Sequence, residues 1–248
     1  MPRLSAIIIT RNEASNIGDC LDSLAFCDER IVVDSDSTDG TLLVAREKGA
    51  RVATHGWRGF GPQKNYALSL AHGDWVLSID ADERVTPELA QEIVKTIAEG
   101  RADGFELSRR SSFCGRMMRH SGWFPDRVLR LFRRDRGRFT DDLVHERVVC
   151  DGKTARLKNV LLHYPVARLE DAIRRMDSYS TLGAAQIAPE RRISFFTGIL
   201  HGSFTFFRIY VLRLGFLDGA AGFLLAVANA EGTYYRYMKA WLARRRRE

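Results

Sequence analysis

The sequence predicts an α/β fold built on a mostly parallel sheet. Two observations carry this. Short apolar, β-branched runs alternate with helical segments through the first third of the chain, at Leu4–Thr10, Arg30–Val33, Arg51–Ala53 and Trp75–Ile79. Strand, helix, strand is the rhythm of parallel strands joined by crossover helices. Two of these runs also end abruptly in acid, at Asp34-Ser35-Asp36 and at Asp80-Ala81-Asp82-Glu83. In an open α/β sheet, ligands sit just beyond the carboxyl ends of the strands. Three carboxylates so close repel one another unless a cation neutralises them. Carboxylate oxygens suit a hard divalent ion, Mg²⁺ or Mn²⁺.

The elements follow in order. Leu4 to Thr10 is a buried first strand, and Asn12-Glu13-Ala14-Ser15-Asn16 supplies turn and cap chemistry. Ile17, Leu21 and Leu24 then recur at helical spacing. A second helix over Thr41–Lys48 leads to the third strand. His55 to Pro62 is a glycine-rich loop with two aromatics, and it runs into a helix over Gln63–Ala71. Lys64 and Asn65 fall in that helix's first turn, where a cation opposes the helix dipole. An anion bound at that N-terminus would remove the conflict. Thr86-Pro87-Glu88 opens another helix, with Pro at its first position and Leu89, Ile93, Val94 and Ile97 along one face.

From Asp103 the pattern changes. Gly104–Ser108 and Val128–Phe132 read as strands, separated by a loop, Ser111 to Arg127, dense in Arg, Met and aromatics. Phe139 to Glu146 and Val160 to Pro165 place an acidic pair, a His-Glu pair and a lone His among short strands. The first domain is therefore expected over 1–165. A helical region follows over 166–248, with Ile173, Met176 and Leu182 on one side of its first helix. Ile193 to Met238 is rich in Phe, Leu, Tyr and Gly, interrupted by Arg208, Arg213, Asp218 and Glu231. Such interruptions suit helices lying in a membrane interface with Arg heads snorkelling outward. The competing reading is a helical subdomain packed on the α/β domain, or a contact between copies.

The chain's 248 residues and 45% hydrophobic content are enough for one large domain, or for one domain with an appendage. The net charge of +7 owes much to Arg244–Arg247. That balance fits an anionic membrane surface or phosphorylated substrates. No nucleic-acid-binding motif accompanies it. The four cysteines show no zinc-ligand spacing and read as reduced thiols. Ala6–Ile9 is too short for the apolar core of a secretory signal. No uncharged stretch reaches the roughly 18 residues of a spanning helix.

Taken together, these segments resemble a family-2 glycosyltransferase with the GT-A fold, a Rossmann-like sheet. Ala6 to Glu13 resembles the family's first strand and turn. Ile31 to Thr41 resembles its second-strand signature, in which an acid reads the nucleotide base; Ser35 and Asp36 depart from the family's usual Asp and Gly, while Asp34 and Asp39 remain. Gln63-Lys64-Asn65-Tyr66-Ala67 resembles the helix facing the diphosphate, and Asp80-Ala81-Asp82 its DxD motif. Gly215–Gly219 and Tyr237–Trp241 resemble the lipopolysaccharide-core subgroup, β-1,4-glucosyltransferases acting on inner-core heptose.

The resemblance implies a UDP-sugar donor, a lipopolysaccharide-core or other glycolipid acceptor, and a place on the cytoplasmic face of the inner membrane. It implies inverting hexose transfer with Mg²⁺ or Mn²⁺. Asp82 is the expected metal ligand, with His163, or His145, completing the shell. Asp80 is placed for the ribose, and Glu83 supports it. Thr10, Asn12, Glu13, Asp34 and Asp39 face the nucleotide. Lys64 pairs with the diphosphate as a point charge, with Arg127 and Arg130 as the alternative phosphate partners. The base is Glu146, Asp141 or Asp142; His-Glu after a strand resembles the acid-bearing segment of related transferases and favours Glu146. Trp57 and Trp123 are candidates to stack on sugars. Two other readings stay open: a polyprenyl-phosphate sugar transferase, and a non-catalytic protein that binds a nucleotide and a membrane.

Overall fold

A computed structural model of the chain describes residues 2–141, 147–187 and 193–245. The chain forms two compact units. The first comprises Met1–Arg109 and Asp126–His163, the second Arg110–Pro125 and Tyr164–Glu248. Residues 110–125, which lie inside the span expected for the first domain, cluster with the second unit.

In the first unit the chain lays down β1 (Leu4–Thr10), α1 (Ile17–Ser23), β2 (Glu29–Asp34), α2 (Thr41–Glu47), β3 (Arg51–Thr54), α3 (Phe60–Ser69) and β4 (Trp75–Ser78). There follow β5 (Glu83–Val85), α4 (Pro87–Glu99) and β6 (Gly104–Phe113). After β7 (Arg116–Met117), which belongs to the second unit, come β8 (Asp126–Arg133), β9 (Gly137–Phe139), β10 (Val148–Cys150) and β11 (Thr154–Val166). The sheet order is β3-β2-β1-β4-β8-β6-β11-β5. β1, β2, β3 and β4 pair in parallel, and β8 pairs antiparallel with β4 and with β6.

Alternation along β1 divides the core between the two faces of the sheet. Leu4, Ala6 and Ile8 pack with Ile17 and Leu21 of α1 and with Leu89 and Ile93 of α4. Ile7 packs on the other face with Ala67 of α3, Phe132 and Phe139. α4 begins as its sequence predicts. Thr86 caps it, its hydroxyl accepting from Leu89 N–H at 3.2 Å, with Pro87 next. It ends at Gly100, whose left-handed φ of 62° needs no Cβ.

α3 departs from the expected start. It begins at Phe60, three residues before Gln63, so Lys64 and Asn65 lie in the second turn and not at the N-terminus. Gly59, with φ of 110°, turns the chain into the helix, and Pro62 sits in the first turn, where its missing N–H costs nothing. The dipole conflict inferred from the sequence is therefore absent. Two contacts fix the helix against the strand that follows β8. Asn65 Nδ2 donates to the Phe139 carbonyl and its Oδ1 accepts from Phe139 N–H, both at 2.9 Å. Gly61 lets the Thr140 carbonyl come close: a Cβ there would meet the oxygen at 2.0 Å.

In the second unit, the stretch read as one long loop contains the end of β6 folded onto β7, with Ser112 opposite Met117. Alternating small and large residues without a clear period hid this hairpin. Three helices follow: α5 (Leu169–Ala185), α6 (Phe195–Phe207) and α7 (Gly219–Arg245). α6 runs directly into a π-helical turn, Arg208–Leu212. The 18-residue run Phe195–Leu212 has a mean hydropathy of 1.3, and by length and composition it is sufficient to cross a membrane. Arg208 thus does not end the helix, as its charge suggested. Phe196, Leu200 and Phe204 are exposed along one side of α6. Asp218 ties this unit together. It is buried and accepts from Arg119 N–H at 3.1 Å, His120 N–H at 3.0 Å and the Ser121 hydroxyl at 2.9 Å. Burial pushes its carboxyl up, and these bonds outweigh it and hold it below the usual range.

Replacing Gly61 by Ala forces α3 away from Thr140. The expected loss is about 1–3 kcal/mol of stability, as for other overpacked sites, read as a lower urea midpoint; an unchanged midpoint would show that the segment shifts freely.

Candidate active site

The register of the parallel strands brings the site residues together. Thr10 pairs with Asp34 across β1 and β2, and Ile7 with Ser78 across β1 and β4. The ends of β1, β2 and β4 therefore open at one edge of the sheet. His163 arrives from far along the chain because β11 pairs antiparallel with β5, where it stands opposite Glu83.

The first group is a hydrogen-bonded loop. Asp34 is fully buried. Its carboxylate accepts from the Thr10 hydroxyl at 3.0 Å and from Ser37 N–H at 2.8 Å. Asn12, with φ of 57°, accepts from Thr38 N–H at 2.8 Å, and its own N–H donates to the Ser37 hydroxyl at 2.8 Å. Asn tolerates this left-handed backbone better than most residues. Asp39 accepts from Ala14 N–H at 3.2 Å and from Thr41. The Thr41 hydroxyl bond is the main reason its carboxyl lies below the usual range. Glu13 N–H donates to Thr41 Oγ1 at 2.8 Å. Asp34 and Asp39 thus act as braces of the loop, with Asp34 beneath the cleft.

The second group is a chain of alternating charges. Lys64 Nζ lies 3.1 Å from Asp80 Oδ1, and Arg130 Nη2 contacts Asp80 Oδ2. Arg130 Nη2 also lies 3.0 Å from Glu83 Oε1, which meets Arg109 Nη1 at 3.2 Å. Arg109 in turn holds Asp126 at 2.7 Å. The side chains of Lys64, Arg130 and Glu83 are buried, and about a third of the Asp80 side chain is exposed. Glu83 Oε2 also accepts from Asp80 N–H at 2.9 Å, which closes the turn after β4. Burial pushes the Asp80 carboxyl up, but Arg130 first and Lys64 next outweigh it and hold it far below the usual range. Burial likewise lowers Arg130, and Asp80 and Glu83 more than reverse it. Both oxygens of Asp80 are engaged by cations, whereas Asp82 stands outside this chain of charges.

Asp82 Oδ2 stands 3.4 Å from His163 Nε2. With the imidazole protonated this is an ion pair. With it neutral, an oxygen and a nitrogen are presented side by side, a donor set that suits a divalent ion. Among the described residues no third Asp, Glu, His or Cys joins them. Asp82 and His163 would hold such an ion together with ligands from outside the protein.

Two hollows adjoin this wall. A cleft of about 480 Å³ is lined by Thr10, Arg11, Glu13, Trp57 and Phe60, and by Lys64 with Asp80–Asp82. A second pocket of about 290 Å³ shares, among the described residues, Lys64 and Asp80 with it. Trp57 and Phe60 meet edge to face at 4.8 Å at the cleft. Trp123 belongs to the second unit, where its ring packs on Phe113 at 5.8 Å. Glu146, Asp142 and His145 lie outside the described residues; Asp141 is described and exposed. Nothing in the local pattern singles out Arg109 and Asp126. Their meeting follows from the β6–β8 register, which sets them opposite each other. Gln63 was also missed as a brace: it is buried and donates to Ser35 Oγ at 2.8 Å, while its Oε1 lies 2.9 Å from His55 Nδ1.

The depressed Asp80 carboxyl has a consequence for pH. Its contribution to stability is complete above the unfolded aspartate value of about 4 and is lost as pH falls toward the folded value. Asp80→Asn is therefore expected to cost more stability near pH ~7 than near pH ~3, measured by urea unfolding at both; an equal loss would overturn the ion-pair account.

Comparison with known proteins agrees with this architecture. The model of glycosyl transferase family 2 matches residues 5–161. The chain is 33% identical to the lipopolysaccharide core biosynthesis glycosyltransferase LpsC of Rhizobium meliloti, covering 92% of this chain and 87% of that protein. It is 30% identical to an uncharacterized glycosyltransferase of Rickettsia felis, over 96% and 89% of the two chains. The structure of S. aureus TarS 1-349 superposes with a TM-score of 0.51 at 18% identity, covering 94% of this chain and 91% of that one, and so shares the fold. With a family match over residues 5–161, which takes in most of the first sheet, the chain belongs to glycosyltransferase family 2 and has the GT-A fold.

Proposed function

We propose that this enzyme transfers a hexose, glucose, from a UDP-sugar to a hydroxyl of a lipopolysaccharide inner-core sugar, with inversion at the anomeric carbon. The observation that carries the reading is the convergence of Asp80, Asp82, Lys64 and Thr10 on one 480 Å³ cleft at the ends of β1 and β4. Similarity to a lipopolysaccharide core transferase along most of both chains supports the acceptor class.

In this reading the nucleotide lies in the cleft. Thr10 and Glu13 line it, and Asn12, Asp34 and Asp39 keep that loop in shape. Asp80 accepts from the ribose, its ionised state secured by Arg130 and Lys64. The Lys64 ammonium also places a positive charge beside the diphosphate. Asp82 and His163 hold Mg²⁺ or Mn²⁺. When bound, the ion supplies Lewis-acid stabilisation of the departing diphosphate.

The transfer itself is a single displacement. The acceptor oxygen forms its bond to the anomeric carbon as the bond from that carbon to the diphosphate breaks, and UDP departs with the electron pair. Glu146 takes the acceptor hydroxyl proton, a task for a carboxylate within hydrogen-bond reach. Asp141 and Asp142 are the alternative bases.

The second unit is assigned to the cytoplasmic face of the inner membrane. The exposed Phe196, Leu200 and Phe204 of α6 support this, together with the basic end of α7 at Arg244 and Arg245. Each basic residue near an anionic surface adds about 1 kcal/mol.

Two outcomes test these assignments. UDP release from UDP-glucose, with divalent metal and lipid-A core fragments, is expected to fall at least about a hundredfold in Asp82→Ala. Glu146→Gln is expected to lower it about 10²–10⁴-fold; retained turnover there would point to an acceptor that needs no base, such as a lipid phosphate. Separately, replacing Phe196, Leu200 and Phe204 together by Ser should move the protein from the membrane to the soluble fraction. A wild-type chain already soluble without detergent or salt sinks the membrane assignment.

A further inference from the structure

The second pocket has a chemistry that the transfer reaction leaves unused. Among the described residues five cationic side chains line it, from Lys64, Arg109, Arg127, Arg130 and Arg147, against the single carboxylate of Asp80. Three of the five are matched within the charge chain: Lys64 by Asp80, Arg130 by Asp80 and Glu83, Arg109 by Glu83 and Asp126. Arg127 and Arg147 are different. Among the described residues neither guanidinium has an ion pair or hydrogen bond. Arg130 adds a buried Nε with no hydrogen-bond partner among the described residues.

These two arginines are held in place by backbone. Arg127 stands opposite Ser108 in the β6–β8 ladder. Arg147 precedes β10; its carbonyl accepts from Thr140 N–H at 3.0 Å and its N–H donates to Thr140 Oγ1 at 3.2 Å. Phe139, Val128 and Val148 supply an apolar wall between them. Like charges around one hollow repel, and an anion among them removes the repulsion. A guanidinium fork matches the oxygens of phosphate or carboxylate in bidentate fashion. The volume of about 290 Å³ is at the small end of ligand pockets, right for one sugar unit.

We infer that this pocket is the acceptor subsite and that it recognises an anionic substituent, a phosphate monoester or a carboxylate, on the sugar that is glycosylated. The inference rests on reading the larger cleft as the donor site. The shared wall of Lys64 and Asp80 sets the two ligands side by side, as transfer between them requires. Arg127 and Arg147 then choose the acceptor by charge, and a neutral sugar in the same pocket leaves both guanidinium groups unmatched.

The test uses the full chain saturated with UDP and Mg²⁺, so that the donor site is filled. Mannose 6-phosphate, glucuronate and methyl mannoside are titrated by calorimetry. One or both anionic sugars should bind at least about tenfold more tightly than the neutral one, and the better of the two identifies the substituent. Arg127→Ala with Arg147→Ala should remove that preference, while the double Lys variant restores part of it. The inference is overturned if all three sugars bind alike or not at all, if UDP displaces the anionic sugar, or if the double Ala variant keeps the preference. A chain that fails to bind UDP would instead refute the donor reading, since sugar binding can be measured without UDP.

Discussion

The buried pairing of Asp80 with Lys64 and Arg130 is the interaction on which the site depends. It joins three distant stretches of chain: α3, the end of β4 and the middle of β8. Each of these charges would be costly to bury alone. Together with Glu83, Arg109 and Asp126 they form an alternating row in which every member has an opposite neighbour. The row fixes Asp80, closes the turn that carries Asp82, and leaves Asp82 turned toward His163. Asp82 is thus positioned through the groups that hold Asp80.

The sheet supplies the geometry and α3 supplies the cation. The parallel pairing of β1 with β2 and β4 aligns Thr10, Asp34 and Asp80. α3 is locked by Asn65 to Phe139 and by Gln63 to Ser35, so Lys64 enters from a fixed direction. The small residue at Gly61 matters as much as the polar ones, because it lets helix and strand approach within contact distance.

Much of this was legible in the chain. The apolar runs of β1, β2 and β4 and the capped start of α4 announced themselves by composition and spacing, and the acids after β4 marked the edge where a ligand sits. Partnerships that depend on register were not legible. Nothing local in Ser108-Arg109-Arg110 says that Arg109 will lie opposite Asp126, and only the β5–β11 ladder carries His163 to Asp82. The start of α3 was misplaced because Gly-Pro reads as loop, although Pro is harmless in a first helical turn. The role of Asp34 shifted for a similar reason. Its motif suggests contact with a base, while burial beneath Thr10 and Ser37 makes it a brace.

Lys64 and Asp80 border both hollows of the first unit. Two chambers with a common charged partition are not thermodynamically independent. A ligand that draws the ammonium toward one chamber changes the potential felt in the other. Linkage makes that influence reciprocal: whatever factor the first occupant imposes on the affinity of the second, the second imposes on the first. In the proposed reading, that partition is also the element through which one bound molecule would report its presence to the other.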